Sequence, residues 1–149
     1  LSGPLCSYVF HDRYNAFFRA LKKHNLRDNR AQAGDAFYSN ECIEEHFPRL
    51  LNQDCTAIIC SHDTLAQALL IHCQEKGIRI PGDLSIIWID DLPICRFTQP
   101  PLSSIRQDRT ELGKSAYYAL SCQLGNIHIN SLTLHPELMV RASIGRVPL

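Results

Sequence analysis

The sequence predicts a three-layer α/β domain on a mainly parallel sheet. Two short, continuous apolar runs, TAIIC at 56–60 and LSIIWI at 84–89, have the composition of strands buried on both faces. A helical pattern lies between them, so strand, helix and strand follow in the order of a parallel crossover unit, right-handed by rule. Amphipathic helical patterns flank this unit, and 149 residues suffice for one domain that buries roughly two-thirds of its unfolded surface.

Each element has its own warrant. Gly3 and Pro4 in the opening LSGP end any strand before them. Ser7 can then N-cap a helix of about four turns that carries Phe10, Tyr14, Phe17, Phe18 and Leu21 on one face. Polar RDNRAQAGD follows, with room for a short strand. Ser39 or Asn40 can cap a second helix with Ile43, Phe47, Leu50 and Leu51 on one side. Pro48 should kink or shorten it, because proline lacks an N–H and its ring meets the carbonyl of Glu44.

After TAIIC, Asp63 stands where an N-cap belongs, ahead of Leu65, Leu69, His72 and Cys73 at helical spacing, and Gly77 ends that helix. IPGD turns the chain into LSIIWI, which stops at Asp90-Asp91. TQPPLSSI is extended by its proline pair. A helix over Arg109–Leu124 places Leu112, Ala116, Leu120 and Leu124 at i+4 spacing, and two short strands are expected at 132–134 and 137–143, separated by Pro136. No internal repeat or low-complexity tract is present.

Composition narrows the function. Hydrophobic residues make up 45% and charged residues 20%, with 15 acids against 15 bases, the balance of a soluble globular protein. Gripping nucleic acid draws on clustered Lys and Arg, and no basic run is present, so this chain is not expected to hold DNA by itself. No apolar run approaches the roughly 18 residues of a membrane span. Seven cysteines, an odd number without a C-x-x-C pair and mostly flanked by apolar residues, read as reduced thiols of a cytoplasmic protein acting as small hydrophobes. The first residues, LSGPLCSYVF, lack an initiator Met, and the natural N-terminus is expected upstream.

Cys60, Ser61, His62 and Asp63 stand side by side and invite a catalytic or metal reading. Triad members must hydrogen-bond in series, whereas neighbours on an extended backbone point to opposite faces, and no G-x-S-x-G elbow surrounds Ser61. Cys60 and His62 lack a second close pair to complete a tetrahedral metal set, and His11, His24, His46, His128 and His135 read as solvated surface residues. No catalytic residue, metal or cofactor is therefore predicted. Ligands of open α/β sheets bind outside the carboxyl ends of the strands. Polar groups at those ends predict a cleft with His62 and Asp90, joined by Arg13 from the first helix and suited to hydroxyls or a carboxylate. Asp63 is assigned to the cap and Asp91 to a loop.

At these residues the chain resembles the effector-binding core of the lactose-repressor/galactose-repressor (LacI/GalR) family of bacterial transcription regulators. The family pattern R-x-x-G-[FW]-x-x-[AY]-L reads RYNAFFRAL at 13–21, and GD plus an aromatic reads GDAF at 34–37. A strand followed by ND and a helix reads CSHDTLAQALL. The stretch G-[LI]-R-[VI]-P-x-D-[LIV]-S-[VI]-[VI]-G-[FY]-D-D reads GIRIPGDLSIIWIDD, and PPL-[TS]-[TS]-[VI]-[RK]-Q-x-x-x-x-L-G reads PPLSSIRQDRTELG. Each motif alone is weak; five in order, spread over nearly the whole chain, are strong.

The resemblance implies a periplasmic-binding-protein-like fold and a small effector, a sugar or similar polar molecule, contacted by Arg13, His62 and Asp90, with Phe37 stacking on it. It departs at His62, where relatives carry Asn. A neutral imidazole offers one donor and one acceptor and loses the acceptor below a pKa of about 6.5. It departs also at Ala16 and Trp88, both at positions where Gly is usual. By the same resemblance, residues 1–104 form most of the C-terminal subdomain, and 105–131 carry the crossover and a helix that in intact relatives belongs to the N-terminal subdomain. Residues 132–149 are the final strands, and the helix-turn-helix and most of the N-terminal subdomain lie outside this chain. The Leu112, Ala116, Leu120 stripe is then expected to pack back on the domain or on a second copy. Implied partners are the effector, operator DNA through the missing part, and a second subunit, with no enzymatic activity and no membrane. A periplasmic sugar-binding protein of a transporter shares fold and strand-end groups and stays as the alternative; upstream residues would separate the two.

Overall fold

The computed structural model describes residues 6–26, 43–44, 47–48, 55–61 and 63–146. Four strands, β1 (Ala57–Ile59), β2 (Ser85–Asp90), β3 (Ser103–Arg106) and β4 (Glu137–Met139), form one sheet in that order. β2 runs parallel to β1 on one side and to β3 on the other, and β4 closes the far edge antiparallel to β3. Helix α1 spans Tyr8–Lys23, α2 Asp63–Glu75 and α3 Arg109–Leu124, and a 3-10 turn covers Pro93–Arg96. The α/β class with a mixed, mostly parallel sheet is as expected, and β1-α2-β2 is the crossover unit.

The core lies under α2. Leu65, Ala66, Leu69, Leu70 and Cys73 from the helix pack with Ile58, Cys60, Ile86 and Trp88 from the sheet, joined by Ile43, Phe47 and Leu102. Ile43 and Phe47 are helical, as the second predicted helix requires, and so is Pro48. The cap at Ser39 or Asn40, Leu50 and Leu51 lie outside the described residues. Burial of β1 on both faces is not found: Ile58 is buried but Ala57 and Ile59 are exposed. A continuous apolar run cannot distinguish a two-sided interior from a one-sided one.

Helices α1, α2 and α3 end alike. Past α2, Gly77 takes φ +70° and the amide of Ile78 reaches the carbonyl of Cys73 at 2.8 Å. Past α1 and α3 the left-handed residue is Asn25 or Asn126, with Leu26 bonding back to Leu21 at 2.9 Å and Ile127 to Cys122 at 2.8 Å. At the other end of α2, Asp63 is the first helical residue, one place inside the cap position predicted for it. Ser7 precedes α1 but makes no side-chain cap bond, whereas Asp108 caps α3 by accepting the Glu111 N–H at 2.9 Å. The turn into β2 is closed by Asp83, which accepts the Arg79 guanidinium at 2.6 Å and its backbone N–H at 2.9 Å; these bonds lower its carboxyl to about 2.

The structure departs from expectation twice after α3. Leu112, Leu120 and Leu124 stay exposed; the side of the helix turned inward is Ser115, Ala119 and Cys122, so of the two packings expected for the leucine stripe, on the domain or on a second copy, the first is not found. No strand forms at 132–134, and the last strand ends at Met139 instead of reaching 143. Serine hydroxyls replace the ladder there. Ser143 Oγ accepts the Ser103 N–H at 2.8 Å and donates to the Ile86 carbonyl at 2.6 Å, while the Arg141 N–H donates to Ser103 Oγ at 2.8 Å. Both serines are wholly buried.

Ser143→Ala leaves a buried amide and a buried carbonyl without these partners, and urea unfolding should show a loss of about 1–3 kcal/mol; an unchanged midpoint would mean the stitch is dispensable. Burial pushes the thiols of Cys60 and Cys73 up, to about 11 and about 12. In native protein at pH 8 a disulfide reagent should therefore label exposed Cys6 promptly and leave Cys60 and Cys73 intact until denaturant is added.

Candidate functional site

Because β1, β2 and β3 are parallel, their carboxyl ends open on the same edge of the sheet. Ser61 lies just past β1 there, Asp90 ends β2, Arg106 ends β3, and Gln107 follows it. α1 brings Arg13 across this edge. Its half-buried face is the predicted one, Phe10, Tyr14, Phe17, Phe18 and Leu21, and Arg13 lies on the same side. The Arg13 guanidinium donates to the Ser61 carbonyl at 2.8 Å and stands 3.6 Å from Asp90 Oδ1. Gln107 Nε2 donates to the same Asp90 oxygen at 2.7 Å.

Two of the four predicted contacts, Arg13 and Asp90, thus meet at the carboxyl ends of the strands, next to the residue preceding His62. His62 and Phe37 lie outside the described residues. A guanidinium and a carboxylate that stay partly accessible, 25% and 37%, can each still hydrogen-bond to a small polar molecule. Trp88, where Gly was expected by resemblance, sits wholly buried in the core two residues before Asp90.

Asp91 lies outside any helix or strand, as its loop assignment requires, but it is also a buried ionic centre. Its side chain is 3% exposed and is held by Arg106 Nε at 2.8 Å on one oxygen and by the Arg141 guanidinium at 2.6 Å on the other. Burial alone would raise its carboxyl; the hydrogen bonds and charges of Arg106 and Arg141 outweigh it and hold the group below the ordinary carboxylate range. Its amide donates to Ser104 Oγ at 3.0 Å, and Arg141 also donates to the Leu102 carbonyl at 2.6 Å. Asp90 and Asp91 both have left-handed backbone, with φ of 108° and 51°.

Gln107 and the Asp91-Arg106-Arg141 cluster were not predicted. The strand-end rule that picked out Asp90 would have reached Arg106 and Gln107 had it been applied to SSIRQ as well. Arg141, 50 residues from Asp91, leaves no local signal. Among the described residues no group of three His, Cys, Asp or Glu side chains could hold a metal ion. No described helix is long and apolar enough to cross a membrane.

The order and direction of the strands define an α/β domain of the class that binds ligands at its strand ends. Residues 6–144 match the periplasmic binding protein-like domain family, and the chain belongs to it, in the branch of the LacI/GalR-type effector-binding domains. It is 31% identical over 148 residues to the HTH-type transcriptional repressor PurR of Pasteurella multocida, covering 97% of this chain and 44% of the repressor. The chain therefore spans about half the length of the curated relatives it matches. Among solved structures, the transcription regulator CcpA of Lactococcus lactis superposes with a TM-score of 0.77 at 29% identity, over 91% of this chain and 51% of that one. A sugar-binding LacI-family regulator from Escherichia coli, in complex with phosphate, gives 0.83 at 24%, over 99% and 54%, and bears on the fold alone.

Asp91 carries a testable pH dependence. Its folded pKa is depressed, so the stability it contributes is complete above the unfolded value of about 3.9 and is lost as pH falls through the folded pKa. Asp91→Asn should lower stability at pH 7 by up to about 3 kcal/mol and flatten the decline below about pH 4. An acid limb identical to that of the parent protein would assign the dependence to other groups.

Proposed function

We propose that this chain is the ligand-sensing domain of a DNA-binding transcription regulator and that its crevice binds a sugar or similar small polar effector. The observation that carries the proposal is the meeting of Arg13, from α1, with Asp90, from the end of β2, at 3.6 Å where parallel strands open. One group offers donors in a fixed fork and the other accepts, a pairing suited to vicinal hydroxyls. His62 and Phe37 complete the proposed contacts, the first as a donor and acceptor, the second by stacking.

DNA contact belongs, in this reading, to a part of the regulator outside this chain, consistent with the zero net charge. Residues 1–104 act as the C-terminal subdomain, and α3 returns to its N-terminal counterpart, which would cover the exposed Leu112 and Leu120; the whole regulator is a cytoplasmic homodimer. Effector binding then changes operator affinity by the difference between its binding free energies for the two states of the dimer. The transporter-protein alternative has less support, since the relatives described above are transcription regulators.

A thermal-shift screen against sugars, sugar phosphates and purines should find at least one compound that raises the melting temperature by several degrees. At a hundred times its Kd a ligand adds about 2.7 kcal/mol. Arg13→Ala and Asp90→Asn should abolish that shift while surface variant Glu111→Gln keeps it. A shift that survives both site variants would refute the crevice. For the same compound, His62→Asn should change the affinity, and an unchanged affinity would remove His62 from the proposed contacts. The chain alone should not retard operator DNA in a gel, and salt-sensitive, sequence-specific retardation would contradict the assignment of DNA contact elsewhere.

A further inference from the structure

Asp90 and Asp91 are adjacent, chemically identical and both at the end of β2, yet only one is available to the crevice. The ladder does not explain the choice. Asp90 is the register partner of Arg106, so an undistorted strand end would bring that guanidinium toward Asp90. Instead Arg106 Nε lies on Asp91 at 2.8 Å, and Asp90 faces Gln107 and Arg13. The exchange is made by the backbone. Asp90 at φ 108° and Asp91 at 51° turn the strand end left-handed, in a region that costs a residue with a side chain about 1–3 kcal/mol.

Something must hold that turn. The bonds of Asp90 itself are made to partly accessible side chains, one of them at 3.6 Å. Those of Asp91 are of another order: a 3% exposed carboxylate gripped by two guanidinium groups, and an amide tied to the wholly buried Ser104. One of the two cations, Arg141, is itself fixed to the Leu102 carbonyl at 2.6 Å and comes from the segment beyond β4. Release of Asp91 would cost Arg141 its carboxylate and leave Arg106 only the more distant Glu137, at 3.7 Å, and this opposes loss of the left-handed pair.

We propose that Asp91 is a positioning residue for the crevice, holding through Arg106 and Arg141 the left-handed turn that presents Asp90 to Arg13 and Gln107. The inference deepens the effector-site reading and rests on it for its functional meaning. Asp91 touches no effector in this scheme; it decides which carboxylate can.

The test needs no effector. In isotopically labelled protein, the three-bond amide-to-Hα coupling of Asp90 reports its φ, and the Gln107 side-chain amide reports the bond to Asp90. Asp91→Asn should shift the Asp90 coupling toward that of an ordinary extended strand and lose the Gln107 signature, with the circular dichroism of the fold retained. Asp83→Asn, which removes the Arg79 pair in the turn before β2, is the control: it lowers stability but should leave both signals in place. If Asp91→Asn fails to fold, Arg106→Gln removes one of the two cations and should move both signals the same way. Unchanged Asp90 and Gln107 signals in a destabilised Asp91→Asn or Arg106→Gln would overturn the proposal and leave Asp91 a purely structural residue. Failure of the effector reading looks different: no compound shifts the melting temperature, while Asp90 still responds to Asp91→Asn.

Discussion

A carboxylate taken out of water at the end of a strand must be met by cations, and the meeting of Asp91 with Arg106 and Arg141 fixes how three parts of the chain come together. Asp91 ends the run from β2, Arg106 closes β3, and Arg141 lies past β4. Each arginine has some contact with solvent, at 32% and 14%, so the cluster sits at the rim of the core and not in its depth. There it anchors the sheet edge on which the candidate site is built.

The serines around it extend the same logic to neutral groups. Buried backbone polar groups need partners, and where β4 stops, the hydroxyls of Ser103 and Ser143 supply them. The segment past Met139 is thereby fixed beside β2 without being a strand. The amide of Ile86 completes the stitch by donating to the Ser143 carbonyl at 2.9 Å. Arg141 is delivered to Asp91 by this segment, so the polar groups at the strand ends depend on hydrogen bonds made near the start of β2 and β3.

Much of the architecture was legible in the residues because it depends on local rules. The span Arg109–Leu124, the stop at Gly77 and the inward face of α1 follow from periodicity and backbone preference, which act within a few residues. Errors arose where burial depends on what covers a surface. TAIIC has the composition of a strand enclosed on both faces, yet only Ile58 of β1 is buried, and the leucines of α3 keep helical spacing without a covering partner. The site divided the same way. That Arg13 and Asp90 meet was legible because their places on a helix face and at a strand end suffice. Gln107 and Asp91 were missed because their roles depend on the geometry of neighbours.

By itself the sequence determined the class of fold, the order of its main elements, and that Arg13 and Asp90 come together at the carboxyl ends of the strands. It did so because alternating and periodic burial, helix stops and strand-end polarity are properties of short segments. Only the tertiary structure decided which of two adjacent aspartates faces the crevice and which is locked away. That choice turns on Arg106 and Arg141, 15 and 50 residues distant along the chain, whose charges converge on Asp91 only once β2, β3 and the C-terminal segment lie side by side.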